Sequence, residues 1–132
     1  MKPVALIAEF MARELITLSP DMEINAAMAL LLEHRISGAP VLDASGNLVG
    51  ILTKKDCLKA AIDASYYRDW GATVDAHMSK EVETLDSDTD VLTAAEKFLT
   101  SPYRRFPVIQ NGNLVGQISR SDALRAMKDN WQ

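Results

Sequence analysis

The feature that most constrains this chain is an internal repeat. The segment Asn47-Leu-Val-Gly-Ile-Leu-Thr-Lys-Lys-Asp56 returns as Asn113-Leu-Val-Gly-Gln-Ile-Ser-Arg-Ser-Asp122. Aligning the two halves upstream of this segment also brings Pro40-Val41 onto Pro107-Val108. A repeat this dense indicates two copies of one supersecondary unit. Because a copy of roughly 60 residues would be marginally stable alone, we expect both copies to share one core in a single module.

Apolar side chains recur with helical spacing at matching places in the two halves. They predict one helix over about 24–35 and another over 91–100, and they are Ile24, Ala27, Met28, Leu31 and Leu32 in the first half and Val91, Ala94, Ala95, Phe98 and Leu99 in the second. Each helix leads into a short strand that contains Pro-Val and forms a hairpin with the next strand. In the second half, Asn111-Gly112 predicts a type I′ turn, because both central residues of that turn need positive φ. Final helices are predicted from Lys54 to Tyr67 and from Arg120 to about Asn130.

The segment before the first repeat helix predicts two further elements. Residues 5–12 are apolar enough for a short helix, and Leu15–Leu18 for a brief strand that Ser19-Pro20 would end. The fold class is therefore α+β, with strand-helix-strand-strand-helix in each repeat. We place the first repeat at 6–67 and the second at 68–130, with a linker over 68–77.

Composition excludes several classes of protein. The 132 residues are 48% hydrophobic and 24% charged, and no run of 18 apolar residues occurs, so we expect a globular protein without a membrane span. Glu9 interrupts the N-terminal apolar run, and we expect no signal peptide. The single cysteine, Cys57, allows no intramolecular disulfide and fits a reducing cytoplasm. A net charge of -4 argues against nucleic-acid binding.

Two short motifs carry the candidate chemistry. Thr53 precedes Asp56 by three residues, and Ser119 precedes Asp122 by three. This spacing suits a helix cap, in which the hydroxyl accepts from a first-turn N–H and the carboxylate is favoured by the helix dipole. The same carboxylate could accept hydrogen bonds from a ribose diol, and the helix start attracts phosphate. Gly50 and Gly116 could allow a ligand to approach the strands closely.

These motifs resemble the CBS domain, the module named after cystathionine β-synthase. The resemblance covers about residues 6–130 and rests on the two Pro-Val strands, the turn glycines and the phrase Gly-x-x-Ser/Thr-x-x-Asp. It implies two repeats that pack with pseudo-twofold symmetry and leave two clefts for adenosine-containing ligands. It also implies a regulatory module that binds AMP, ADP or ATP and acts in trans on an unidentified effector protein.

The resemblance further implies which residues contact the nucleotide. Asp56 and Asp122 would bind ribose, with Thr53 and Ser119 on the phosphate side. The expected binding residues are Thr17, Ala39, Pro40, Thr53, Lys55, Asp56, Thr84, Arg104, Arg105, Phe106, Pro107, Ser119, Arg120 and Asp122. Ribose on Asp56 would place phosphate near Arg104 and Arg105, and Arg104 is our choice because neighbouring strand residues point to opposite faces. Since arginine offers a planar fork and Lys55 a single point charge, we expect the Asp56 cleft to bind phosphorylated ligands more tightly.

Other functions remain open at this stage. S-adenosylmethionine is a less favoured ligand, because the hydroxyl and basic residues suit phosphate. A ligand-free pair could serve as a dimerisation or partner-docking module, and in either case a homodimer through the helices at 24–35 and 91–100 is expected. We expect no catalytic residues and no required cofactor, since no nucleophile–base pair is evident. A metal site is not expected either, because His34 and His77 lack partner ligands at suitable spacing.

Overall fold

The computed structural model describes residues 5–68 and 71–131, and residues 69 and 70 of the predicted linker lie outside them. The chain divides into two compact units. The repeat-1 unit comprises the described residues of Ile16–Val82. The repeat-2 unit comprises those of Glu83–Gln132 together with those of Met1–Leu15. The N-terminal segment therefore packs with the second repeat, although residues 6–15 lie within the predicted first repeat.

The repeat-1 unit contains a two-stranded antiparallel sheet and three helices. The elements are α1 (Ile24–Glu33), β1 (Gly38–Leu42), β2 (Leu48–Thr53), α2 (Lys54–Tyr67) and α3 (Val74–His77). The predicted strand at Leu15–Leu18 is wrong in extent, because only Leu18 pairs with β1, in parallel with Val41. Leu18 N–H donates to the Pro40 carbonyl at 2.9 Å, and the Leu18 carbonyl accepts from Leu42 at 2.8 Å. The chain then turns at once, since Pro20 cannot donate to a continuing strand.

The repeat-2 unit has a three-stranded sheet in the order β3-β4-β5. Its elements are β3 (Leu85–Asp86), α4 (Val91–Thr100), β4 (Arg105–Gln110), β5 (Asn113–Ser119) and α5 (Arg120–Asp129). Strand β3 runs parallel to β4, and β4 is antiparallel to β5. The predicted turn is confirmed, since Asn111 and Gly112 have φ of 52° and 80°. The predicted helices at 54–67 and 91–100 are confirmed as well.

The N-terminal segment does not form the predicted helix over 5–12. Only a 3-10 helix, Ile7–Glu9, is present. Ala12 instead pairs with Gln117 on the edge of β5, and each N–H donates to the other residue's carbonyl at 2.9 Å. This pairing requires extended backbone at Ala12, so a helix cannot continue through it.

Buried hydrophobic side chains of the described residues form two clusters, one in each unit, and not the single shared core expected from the length of the repeats. In the repeat-1 unit the cluster joins both strands to α1, α2 and α3, and its members are Leu18, Ile24, Ala27, Leu31, Ala39, Val41, Leu52, Cys57, Ala60 and Val74. The repeat-2 cluster joins β3–β5 to α4, α5 and the N-terminal segment, and its members are Ile7, Met11, Leu85, Val91, Ala94, Phe98, Phe106, Val108, Ile118, Ala123 and Ala126. Three members of each predicted apolar stripe are buried at matching places, namely Ile24, Ala27 and Leu31 in α1 and Val91, Ala94 and Phe98 in α4. The last member of each stripe, Leu32 or Leu99, is exposed instead.

Gly50 and Gly116 are needed because the chain itself approaches the second strand of each hairpin. A Cβ at Gly50 would lie 2.6 Å from Met78 Sδ and 2.9 Å from the Ser79 carbonyl oxygen. A Cβ at Gly116 would lie 2.6 Å from Met11 Sδ and 2.7 Å from the Ala12 oxygen. The hypothesis that these glycines admit a ligand is thus wrong for the free protein, because a methionine and a backbone bridge already occupy both places.

This arrangement predicts that Gly50→Ala and Gly116→Ala each destabilise the protein. Displacing backbone and a packed methionine should cost about 1–3 kcal/mol of unfolding free energy, measured by urea denaturation. Gly71→Ala is the control, because a Cβ there meets no atom within 4 Å. Equal stability of Gly116→Ala and Gly71→Ala would contradict the close approach.

Candidate functional site

In the repeat-1 unit, strand β2 runs into helix α2 without an intervening loop, and Thr53 caps the helix. The Asp56 N–H donates to Thr53 Oγ1 at 3.1 Å. In return, Asp56 Oδ2 accepts from Thr53 N and from Thr53 Oγ1, both at 2.9 Å. No residue of 5–68 or 71–131 donates a hydrogen bond to Asp56 Oδ1. One carboxylate oxygen thus stabilises the fold, and the other is free to accept from a ligand.

The repeat-2 unit builds the same cap at the junction of β5 and α5. Asp122 N–H donates to Ser119 Oγ at 3.1 Å, and Ser119 N–H donates to Asp122 Oδ2 at 2.9 Å. Here Arg125 Nη2 donates to the second oxygen, Asp122 Oδ1, at 2.9 Å. The sequence prediction that both motifs cap helices is therefore confirmed, but the two carboxylates are not equally available.

Each cap lies beside the start of its own Pro-Val strand. Gly38 pairs with Thr53 across β1 and β2, and Arg105 pairs with Ser119 across β4 and β5. The first amide of each final helix also bonds back to the residue before the strand. Lys54 N–H donates to the Ser37 carbonyl at 2.9 Å, and Arg120 N–H to the Arg104 carbonyl at 3.1 Å. Within each unit, hydroxyl, carboxylate and the residues preceding Pro-Val are thus fixed together by backbone bonds.

Arg104 and Arg105 differ in their surroundings. Arg104 is exposed and precedes β4, whereas Arg105 is half-buried at its first position. Arg105 Nε is buried and has no hydrogen-bond partner among the described residues. A buried donor without a partner is costly, so an acceptor from outside the chain would satisfy it. The choice of Arg104 for phosphate stays a prediction.

The remaining expected binding residues fall into two groups by exposure. Fully buried are Ala39, Pro40, Phe106 and Pro107. Phe106 packs against Phe98 with ring centroids 4.8 Å apart, which makes it part of the core. Exposed or half-buried are Thr17, Lys55, Thr84 and Arg120. Thr17 and Thr84 each immediately precede a residue that pairs with the Pro-Val strand, namely Leu18 and Leu85.

Hydrogen bonds and burial shift the pKa values of Asp90 and Cys57. Asp90 caps α4, and the N–H of Thr93, which donates to it at 2.7 Å, lowers the pKa of Asp90 below 3.8. The stability from this cap is therefore present above the unfolded pKa and is lost as pH falls through the lowered value. Next to Asp56, burial raises the pKa of the Cys57 thiol, and the Asp56 charge raises it further, so Cys57 is an unreactive core residue.

An open cavity of about 420 Å³ lies between helices α4 and α5 in the repeat-2 unit. It is lined by Ala95, Phe98, Leu99, Ser101, Arg120, Ala123, Leu124 and Met127. Leu99 and Leu124 at its edge are 87% and 71% exposed. The cavity lies on the face of the unit formed by α4 and α5.

The described parts of the chain contain neither a metal-binding cluster nor a membrane-spanning helix. Within 5–68 and 71–131, no group of three or more His, Cys, Asp or Glu side chains is arranged to hold a metal ion. None of the helices in these ranges has both the length and the hydropathy to cross a membrane.

Comparison with protein families decides the identity of the fold. The CBS domain model matches the chain twice, over residues 7–63 and 73–129. The chain belongs to the CBS domain family. Both caps and both Pro-Val strands lie within these matches, so the resemblance predicted from the motifs is confirmed.

Individual CBS relatives cover nearly the whole chain. An uncharacterised 17.7 kDa protein of Acidianus ambivalens is 31% identical over 124 residues, which are 93% of this chain and 73% of that protein. The chain spans only 13% to 44% of three longer relatives. CBSX2 of Arabidopsis thaliana, solved in complex with AMP, has a TM-score of 0.83 and 26% identity, covering 96% of this chain and 98% of that one. The CBS pair of protein MJ0100, solved with 5′-methylthioadenosine and S-adenosyl-L-methionine, has a TM-score of 0.79 and 26% identity over the same shares.

Sequence reasoning missed Arg125, which is the residue that distinguishes the two caps. Its signal was available, since an acid and a base three residues apart on a helix are neighbours. The equivalent position in α2 is Lys59, for which the described part of the chain contains no ion pair. Among the described residues the two CBS caps therefore differ in the ion pair of Arg125 with Asp122 and in the bond that Thr53 Oγ1 donates to Asp56 Oδ2.

Proposed function

We propose that this CBS pair is a regulatory module that binds an adenine nucleotide, AMP, ADP or ATP, and acts in trans on a separate effector protein. The observation that carries the proposal is Asp56 Oδ1 at the start of α2, to which no described residue donates a hydrogen bond. A ribose diol can donate hydrogen bonds to such an oxygen, and bonds to an ionised acceptor are stronger than neutral ones. The cap holds the carboxylate in place, so little side-chain entropy is lost on binding.

The residues around the caps favour a phosphorylated ligand. The N-terminus of a helix attracts anions through its dipole and its unpaired N–H groups. Lys54 and Lys55 stand in the first turn of α2, and Arg120 begins α5. These positive charges attract the phosphates of AMP, ADP or ATP and repel the positive sulfonium of S-adenosylmethionine. The neighbours solved with AMP and with S-adenosyl-L-methionine support the adenosine class as a whole.

The proposal gives the chain no catalytic role and no metal. The groups around each cap are a hydroxyl, a carboxylate and cations, and we assign all of them to nucleotide binding. Regulation then requires that a nucleotide change the protein's contacts with its effector. We also place the protein in the cytoplasm, where adenine nucleotides are available.

A test of the proposal is AMP binding measured by thermal unfolding and calorimetry. AMP at 100 times its Kd should add about 2.7 kcal/mol to the free energy of unfolding. Asp56→Asn should weaken binding, because an amide is a poorer acceptor for the diol than a carboxylate. Asp129→Asn, an exposed aspartate of α5, is the matched control and should bind as wild type. No stabilisation by AMP, ADP or ATP would contradict the proposal.

A second candidate is a dimerisation or docking module that needs no ligand. Apolar side chains on the helices favour it, since Leu99 and Leu124 border the cavity and Leu32 of α1 is 68% exposed. Such patches on a soluble protein mark interaction surfaces. This candidate and nucleotide binding are compatible, because the caps and the exposed leucines are different groups.

Self-association is expected to depend on these leucines. Sedimentation at micromolar concentration should show a homodimer for wild type, and Leu99→Lys should shift it toward monomer by burying an unpaired charge. Lys128→Ala, an exposed residue near the end of α5, should leave the dimer intact. A monomeric wild type, with and without AMP, would contradict the homodimer.

A further inference from the structure

The two capping aspartates differ in whether their second oxygen is occupied. Arg125 Nη2 lies 2.9 Å from Asp122 Oδ1, and the side chains are 54% and 17% exposed. At the matching place in α2, Asp56 Oδ1 accepts no hydrogen bond from the described residues. Both oxygens of Asp122 are thus engaged, one by Ser119 N–H and one by a guanidinium. A ligand that binds the Asp122 carboxylate therefore competes with Arg125 for Oδ1.

Arg125 makes a second contact, with the N-terminal segment. Its Nη2 donates to the Phe10 carbonyl at 3.3 Å, across 115 residues of sequence. Phe10 lies between two points at which this segment is fixed to the unit. Ile7 N–H donates to the Thr89 carbonyl at 2.9 Å, and Ala12 pairs with Gln117 on the edge of β5. One guanidinium nitrogen therefore joins the cap carboxylate to the segment that covers Gly116.

We propose that Arg125 is a latch on the Asp122 half of the module. In the free protein it occupies the oxygen that a ribose diol would use, so a nucleoside binds Asp122 only by displacing it. Displacement also removes the guanidinium from the Phe10 carbonyl and loosens the segment at 7–12. Ligand binding at Asp122 is in this way coupled to the N-terminal segment. At Asp56 a nucleoside binds without displacing a side chain of the described residues. The inference rests on the proposed function, because it assigns Asp122 to ribose.

The expected size of the effect follows from the exposure of the pair. An ion pair open to water is weak and is screened by salt. Removing Arg125 should therefore tighten nucleoside binding at Asp122 by about two- to five-fold at low ionic strength. The difference should shrink as salt is added.

Adenosine is the probe, because it carries the diol and has no phosphate that Arg125 could attract. Calorimetric titration compares Asp56→Asn with Asp56→Asn/Arg125→Gln, so that Asp122 is the capping carboxylate under test. The second variant should bind adenosine about two- to five-fold more tightly. The matched control compares Asp122→Asn with Asp122→Asn/Lys59→Gln, which should have equal affinity, since Lys59 makes no ion pair within the described chain.

Amide hydrogen exchange supplies a readout that a change in affinity alone would not move. Adenosine added to the Asp56→Asn protein should speed exchange at the amides of Phe10 and Met11, whose N–H groups donate to the Ile7 carbonyl. In the Arg125→Gln variant these amides should exchange faster already and should not respond to adenosine.

The possible results separate the latch from the proposed function. Equal adenosine affinity with and without Arg125 would overturn the latch and leave nucleotide binding standing. Weaker binding after Arg125→Gln would also overturn it, because Arg125 would then be a ligand contact. If neither adenosine nor AMP binds wild type or any variant, the proposed function and the latch fall together.

Discussion

The rest of this structure depends on the reciprocal cap that joins a strand to a helix in each repeat. Thr53 and Ser119 end their strands and begin their helices with no loop between them. The cap satisfies helix N–H groups that would otherwise lack partners. It also fixes the angle between strand and helix, so that Cys57 and Ala60 of α2, and Ala123 and Ala126 of α5, meet their cores. A carboxylate held this firmly for structural reasons is already organised for a ligand.

The close approach at the glycines is the second constraint on the fold. A methionine packs against the glycine of each hairpin at equivalent places, Met78 against Gly50 and Met11 against Gly116. In the repeat-1 unit the covering Met78 lies within the predicted second repeat, and in the repeat-2 unit the covering Met11 lies within the predicted first repeat. The N-terminal segment therefore belongs to the repeat-2 unit for the same packing reason that places α3 in the repeat-1 unit. The boundaries at 6–67 and 68–130 stay a prediction about the repeats, whereas the compact units follow packing.

Local patterns in the sequence predicted the local structure well. The spacing of Val91, Ala94 and Phe98 gave the bounds of α4, and Asn111-Gly112 gave the hairpin turn, because both signals depend on neighbouring residues. The pairing of Ala12 with Gln117 could not be predicted in this way, since it joins residues far apart in the chain. The contacts of Gly50 with Met78 and of Gly116 with Met11 are non-local as well, so the sequence suggested a ligand at these glycines and not a methionine. The covering methionines become visible only when the chain is folded.

The sequence predicted which types of residue form the candidate site. It did not predict that the capping carboxylates Asp56 and Asp122 differ in their hydrogen bonds. The motif identified Asp56 and Asp122 as equivalent, and their backbone environments are indeed alike. Arg125 makes them different, and its contact with Phe10 is again non-local. Burial adds a further distinction. Phe106 is fully buried in the core, whereas Arg105 has a buried Nε with no hydrogen-bond partner among the described residues.

The central claim is that the carboxylate which caps α2 also binds ribose. A crystal structure of the protein grown with AMP tests it most directly. The account predicts ribose hydroxyls about 2.5–3.0 Å from Asp56 Oδ1, with the bonds between Thr53 and Asp56 Oδ2 preserved. AMP bound with its ribose away from Asp56, or bound only after the cap has broken, would contradict it.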